Sequence, residues 1–321
     1  MDEIGIVGAG SYGTALAQCF CNSVEKIVMI SDLAEVSNSI NKQHVNSRFC
    51  PYVVLDQKIV CSLNIDALKN SKLIFLAVPS EAIEEVCMNL KKNKIGAPLI
   101  LCSKGVDIVN GRLLGELIHD ICPDNKFVIF SGPSFASEIA KGMKAGVNVA
   151  SNDYALAQKI AKIFSSENFK VEAIDDPIGL QIGGAFKNML AVGCGLYRGL
   201  GHGESTIARL IVEGIKEMAE LAEHLGGKKE TFLEYGGIGD TILTCTSTQS
   251  RNVLFGKYIA SGGTVKNWQG PLAEGARSIK AIPIFETKYG VNLKIFREIH
   301  DRIYPNVKNS GAKSWDNDEL A

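Results

Sequence analysis

The sequence predicts two domains of different class: an α/β domain with a mostly parallel sheet over residues 1–175, and an all-helical domain over residues 176–321. Three observations predict this division. At about 150 residues per domain, a chain of 321 residues makes roughly two. In the first half, short β-rich runs alternate with helical stretches, the pattern of βαβ units. Beyond about Asp175 the apolar period becomes helical throughout.

The strands are expected at Ile4–Val7, Lys26–Ile30, Leu73–Val78, Pro98–Cys102, Phe127–Phe130 and Gly146–Ala150, each a compact run rich in branched or aromatic residues. Asp175-Asp176-Pro177 marks the boundary, because acidic residues suit a helix cap and proline suits its first turn. Helices then follow over Pro177–Leu200, Ser205–Leu225 and Glu274–Tyr289. In the second of these, Ile207, Leu210, Ile211, Ile215, Met218, Leu221, Ala222 and Leu225 form one stripe. The tail, Lys308–Ala321, is polar and expected to be loose.

Composition narrows the function. Thirty-four basic residues against thirty-five acidic ones leave a formal charge of −1, so no global field draws the chain to nucleic acid or an anionic membrane. The longest apolar run, about Leu73–Val78, falls far short of the roughly 18 to 20 residues that span a bilayer. Met1-Asp2-Glu3 leads directly into a strand without a basic leader, so a cytoplasmic location is expected. The nine cysteines are scattered, odd in number and without a CxxC pair, and the five histidines lie far apart. Reduced thiols and no metal site are expected.

Gly8-Ala9-Gly10-Ser11-Tyr12-Gly13 places GxGxxG between a strand and a helix, the context that makes this motif a dinucleotide signal and the fold Rossmann-type. Gly8 allows the tight turn, Gly10 lets backbone approach a pyrophosphate, and Gly13 brings helix and strand together, while the helix N-terminus offers amide donors. Asp32 follows the next strand and has two readings. It binds the adenosine ribose hydroxyls, which favours NAD over NADP, or it caps a helix over Leu33–Ile40.

Further polar residues follow other strands or sit in the helical half. Lys104, in Ser103-Lys104-Gly105, is either a cation for an anionic ligand or a solvated loop lysine. Ser131-Gly132-Pro133-Ser134-Phe135-Ala136 follows a strand, where ligands of open α/β sheets gather. Lys187 lies among small and apolar residues of a helix, where desolvation lowers its pKa and fits it for proton transfer; a lysine that snorkels to solvent is the alternative. Asp240 and Thr244 are four apart on one helical face, though Asp240 equally suits an N-cap. Ser250-Arg251-Asn252 at a helix start makes an anion pocket or simply a capped helix with a surface arginine.

In this order, across nearly the whole chain, these strings resemble the NAD(P)-dependent glycerol-3-phosphate dehydrogenases of the bacterial type. Gly184-Ala185-Phe186-Lys187-Asn188, Gly237-Ile238-Gly239-Asp240 with Thr244-Cys245, and Glu274-Gly275 carry the resemblance as well. It implies reversible hydride transfer between NAD(P)H and dihydroxyacetone phosphate, giving sn-glycerol 3-phosphate for glycerophospholipid synthesis, in a homodimer. It also implies Lys187 as general acid/base, oriented with the substrate by Lys104 and Asp240, with Asn188 and Thr244 adding hydrogen bonds. Arg251 and Asn252 stand at the phosphate, and Gly132, Ser134 and Ser250 at other substrate-contact positions. Ser11, Tyr12, Ala136, Leu272 and Glu274, with Lys104 and Arg251, stand at cofactor-contact positions. The chain departs from the family pattern at Tyr12, commonly tryptophan, and at Ser31-Asp32, where many members carry His or Arg. It departs again at Lys144-Ala145-Gly146 and at Gly203-Glu204-Ser205, where Gly-Asp-Asn is usual.

Two rival readings remain at this level. A β-hydroxyacid or ketopantoate-type dehydrogenase shares the architecture but needs no phosphate pocket, and a regulatory protein that senses NAD needs no Lys187–Asp240 pair.

Overall fold

The computed structural model describes residues 1–305, so the expectation for Lys308–Ala321 lies outside the described residues. In chain order the first elements are β1 (Glu3–Val7), α1 (Ser11–Phe20), β2 (Lys26–Ile30), α2 (Ala34–Gln43), β3 (Ile59–Ser62), β4 (Ile74–Leu76), α3 (Ile83–Lys92) and β5 (Leu99–Leu101). Next come the short strands β6 (Val106–Asp107) and β7 (Arg112–Leu113), then α4 (Leu114–Ile121), β8 (Phe127–Ser131), α5 (Ala136–Ile139), β9 (Ala145–Ala150), α6 (Tyr154–Phe164) and β10 (Phe169–Ile174). The remainder is helical: α7 (Pro177–Gly199), α8 (Glu204–His224), α9 (Asp240–Thr246), α10 (Arg251–Ala260), α11 (Glu274–Ser278), α12 (Ile282–Tyr289) and α13 (Lys294–Ile303).

Contacts group the described residues into two compact units, one of Met1–Ser103 with Leu114–Pro177, the other of Lys104–Leu113 with the described residues from Ile178 onward. The first holds an eight-stranded sheet in the order β10-β9-β8-β5-β4-β1-β2-β3. Every neighbouring pair in it is parallel except β8 with β9. Central strands such as β4 and β5 are buried on both faces and read as unbroken apolar runs, the signature of a sheet covered by helices. Phe20, Phe75, Phe130, Phe164 and Phe169 interlock in this core, with Phe20 and Phe164 ring centroids 4.4 Å apart.

The second unit packs its own core around α7. From Ile182 to Tyr197 every residue of that helix is buried, so its apolar surface runs all the way round, as a central helix requires. Glycines let neighbours approach it: a Cβ at Gly195 would lie 2.1 Å from the Val253 carbonyl oxygen of α10, and one at Gly256 would lie 2.0 Å from that of Val192.

The structure differs from the sequence expectation in several places, among them the short strands β6 and β7, the helix α13 and the grouping of Lys104–Leu113 with the helical unit. Strands β3 and β10 were not expected; both are sheet edges, β3 only four residues long and β10 with the outward-facing Lys170 and Glu172 interrupting its apolar residues. The helix expected over Glu274–Tyr289 is divided into α11, a 3₁₀ turn over Ile279–Ala281, and α12. Pro283 explains the break, because it has no N–H to give and fits only a first helical turn. The alternative in which Asp32 caps a helix is excluded: α2 starts at Ala34 with Leu33 in the cap position, and it is Ser31 Oγ that accepts the Leu33 N–H, at 3.1 Å.

Among the described residues no helix is long and apolar enough to cross a membrane, and no group of three or more His, Cys, Asp or Glu side chains is placed to hold a metal ion. None of the nine cysteines is joined in a disulfide.

Candidate active site

In the first unit, β1 ends at Val7 and the chain turns through Gly8 with φ +106°, a left-handed conformation that L side chains rarely adopt. A Cβ at Gly8 would also lie 2.6 Å from the Ala77 carbonyl oxygen, and one at Gly13 would lie 1.9 Å from that of Gly8. Gly10 is different, since a Cβ there would meet nothing within 4 Å. It borders open space at the start of α1, whose N-terminus carries no side-chain cap. A helix N-terminus whose cap residue has no side chain, beside a glycine facing free volume, suits a pyrophosphate. Asp32, just beyond β2, is exposed and forms no ion pair among the described residues.

The other first-unit candidates gather around this turn. Ser11 Oγ donates to the Phe49 carbonyl at 2.9 Å, and the Tyr12 and Ser134 hydroxyls share a hydrogen bond of 3.0 Å. Ser134 Oγ also donates to the Gly132 carbonyl at 3.1 Å. Gly132 itself abuts β9, where a Cβ would lie 2.5 Å from Val147 Cα. Ala136 opens α5, which packs on α1.

Asn46 was not singled out from sequence, yet it fixes the glycine turn. Fully buried, it donates from Nδ2 to the Ala9 carbonyl and to Thr14 Oγ1, both at 2.8 Å, and accepts the Phe49 N–H at 3.1 Å. Its only sequence signal is an asparagine in a polar stretch, and nothing in that stretch points to a residue 37 positions away.

In the second unit, Lys187 is the only charged residue in the buried stretch of α7 and is 5% exposed. Its Nζ donates to Asp240 Oδ1 at 2.8 Å and to Thr244 Oγ1 at 2.6 Å. Lys104 Nζ donates to the other carboxylate oxygen, Oδ2, at 2.6 Å. One carboxylate thus bridges two ammonium groups, leaving the cluster with a net positive charge. Asp240 is the first residue of α9, with Gly239 in the cap position, so the N-cap reading is excluded. A π-helical turn over Tyr235–Gly239 delivers it, closely packed because a Cβ at Gly237 would lie 2.5 Å from Phe232 Cα.

Burial and charge set the protonation states. Desolvation pulls the Lys187 ammonium down from 10.5 to about 8, assisted by Lys104 and opposed by Asp240. Burial alone would raise Asp240, but the Lys104 and Lys187 ammonium groups and their hydrogen bonds carry it below the ordinary carboxylate value. The cluster therefore holds an anionic carboxylate and a lysine able to exchange its proton near neutral pH.

Asn188 and Asn252 extend the cluster. Asn252 Nδ2 donates to Asn188 Oδ1 at 3.0 Å, Asn188 Nδ2 donates to the Lys104 carbonyl at 3.2 Å, and Asn252 Oδ1 accepts the Gly275 N–H at 3.0 Å. Both amides are thus committed within the protein, and they tie Lys104, α7, α10 and α11 together. Ser250 caps α10, its Oγ accepting the Val253 N–H at 3.4 Å. Arg251 follows as the first residue of α10, exposed and without an ion pair among the described residues. Glu274 opens α11, half-buried, and Leu272 is exposed two residues before it.

Comparison with known proteins gives a consistent result. The N-terminal and C-terminal models of the NAD-dependent glycerol-3-phosphate dehydrogenase family match residues 3–157 and 176–312. The chain is 33% identical over 305 residues to a glycerol-3-phosphate dehydrogenase (NAD(P)+) of Rhodospirillum rubrum, covering 94% of this chain and 87% of that protein. It is 35% identical over 307 residues to the corresponding protein of Clostridium tetani, covering 94% and 86%. Among solved structures, the glycerol-3-phosphate dehydrogenase of Coxiella burnetii superposes with a TM-score of 0.89 at 30% identity, over 95% of each chain.

Proposed function

The chain belongs to the NAD-dependent glycerol-3-phosphate dehydrogenase family, and from that premise we propose that it interconverts dihydroxyacetone phosphate and sn-glycerol 3-phosphate with NAD(P)H, supplying the phosphorylated glycerol of phospholipids. The observation that carries this reading is Lys187 Nζ, buried and held by Asp240 Oδ1 and Thr244 Oγ1 at 2.8 and 2.6 Å.

When bound, the nicotinamide supplies the hydride that adds to the C2 carbonyl carbon. Charge then grows on the C2 oxygen, and Lys187 donates its proton there, so that carbonyl, hydride and proton together give the secondary alcohol. Asp240 and Thr244 hold the ammonium in position, and Lys104 keeps the carboxylate ionised when Lys187 gives up its proton. In the oxidative direction neutral Lys187 takes the proton back. Arg251, with a free guanidinium at the N-terminus of a ten-residue helix, suits a phosphate dianion.

For the cofactor, we propose that NAD(H) is preferred. The exposed Asp32 carboxylate can accept hydrogen bonds from a ribose diol but repels a 2′-phosphate, and neither Ser31 nor Leu33 beside it offers a cation.

Lys187→Ala tests the reading. We expect turnover to fall by about 10²–10⁴-fold while NADH binding, followed by its fluorescence, is retained. A variant that binds NADH and still reduces dihydroxyacetone phosphate at the wild-type rate would remove Lys187 from the chemistry.

A further inference from the structure

Nothing in the active-site reading uses Arg198, although it links three helices of the second unit. It lies in the last turn of α7, with its side chain 15% exposed. Its Nε and Nη2 donate to the two carboxylate oxygens of Glu204, each at 2.8 Å, a bidentate fork that fixes the guanidinium plane. Its third donor, Nη1, reaches the carbonyl oxygen of Cys245 at 2.7 Å. Cys245 belongs to the last turn of α9, where carbonyl groups have no partner within the helix.

Helix α9 is only seven residues long, too short to hold its shape or place on its own propensity. It nevertheless carries Asp240 and Thr244, which together position Lys187. Lys187 and Arg198 project from the same rigid helix, so α7 grips α9 twice. Lys187 holds Asp240 and Thr244, and Arg198 holds the carbonyl at the other end. Glu204, the first residue of α8, locks the second grip. The fork raises the Arg198 pKa and lowers that of Glu204, so both stay charged across the working range.

Resting on the dehydrogenase reading of this site, we propose that Arg198, held by Glu204, is a positioning residue: it clamps the C-terminal end of α9 and thereby sets where Asp240 and Thr244 meet Lys187. Arg198 acts through α9 and needs no contact with substrate. Glu204 stands where the family pattern carries aspartate, and its longer side chain spans to the Arg198 fork.

Arg198→Lys and Glu204→Gln test this together. The first keeps a charge and one donor but loses the fork; the second alters an exposed side chain and leaves the fold intact. Two readouts are taken, kcat against KM with dihydroxyacetone phosphate and NADH, and the titration of Lys187 followed by the ¹⁵N shift of Nζ. The expected result is a fall in kcat on the order of tenfold, an unchanged KM for NADH, and a Lys187 midpoint moved downward as its carboxylate loosens. Retention of wild-type kcat and midpoint in both variants overturns the proposal. So does a fall in kcat that only tracks the melting temperature while the midpoint stays put. The titration needs no substrate. If the wild-type chain fails to reduce dihydroxyacetone phosphate but the midpoint still moves in the variants, the functional reading fails and the clamp stands.

Discussion

Lys187 keeps a charge where burial disfavours one, and the balance between that cost and the neighbouring Asp240 carboxylate places its titration at about 8. Reduction of a ketone needs the ammonium form as proton donor, so kcat in that direction should fall as pH rises through about 8. Oxidation needs the neutral amine, so its kcat should rise over the same interval. Rate profiles measured in both directions check this, and profiles that move the same way would contradict it. At Arg251, loss of charge-assisted hydrogen bonds worth about 1.5–3 kcal/mol should raise KM for dihydroxyacetone phosphate by roughly ten- to a hundredfold. The rate with unphosphorylated dihydroxyacetone should hardly change in Arg251→Ala, and an equal loss on both substrates would place Arg251 elsewhere. Lysine 187 was legible in the sequence because a charge among glycines and apolar residues of a helix is rare. Asn46 was not, because its partners, Ala9 and Thr14, lie far away in the chain and only the fold brings them to it.

Among the elements, α13 shows how one helix finishes another. Glu217 of α8 places its carboxylate on the N-terminus of α13, accepting the Ile295 N–H at 3.1 Å and that of Phe296 at 3.2 Å. Burial raises its pKa to about 7, against the pull of those backbone N–H groups and with Glu286 adding repulsion. A carboxyl group raised in the folded state contributes stability at low pH and loses it as pH climbs through its folded value. The melting-temperature advantage of wild type over Glu217→Gln should therefore shrink between about pH 5 and pH 8, and an advantage that grows with pH would contradict the assignment. The elements that escaped sequence reading did so for physical reasons. Edge strand β10 alternates in polarity because one side meets solvent, so a search for apolar runs passes over it, and β3 offers only the three apolar residues Ile59-Val60-Cys61. The helix over Glu274–Tyr289 has a continuous apolar pattern, and only Pro283 signals the break.

At the scale of the whole molecule, two separate apolar cores underlie two classes of architecture, one around the eight-stranded sheet and one around α7. That much was legible, since strand-helix alternation and a purely helical period are features of the local pattern. The placement of Lys104–Leu113 with the helical unit was not, because the segment follows a strand of the sheet and its membership depends on contacts distant in sequence. This placement puts Lys104 in the same unit as Asp240 and Lys187, so the proposed proton-transfer cluster is complete within one body.

The proposed enzyme reads a phosphate on its substrate through Arg251 and prefers NADH through Asp32. The most direct measurement is the oxidation of NADH and of NADPH, side by side, by the purified protein, with dihydroxyacetone phosphate and then with dihydroxyacetone. Turnover that requires the phosphate and is faster with NADH is the expected result, in keeping with Arg251 and Asp32. Faster turnover with NADPH would contradict the role given to Asp32, and no turnover with either cofactor, despite binding, would contradict the assignment as a whole.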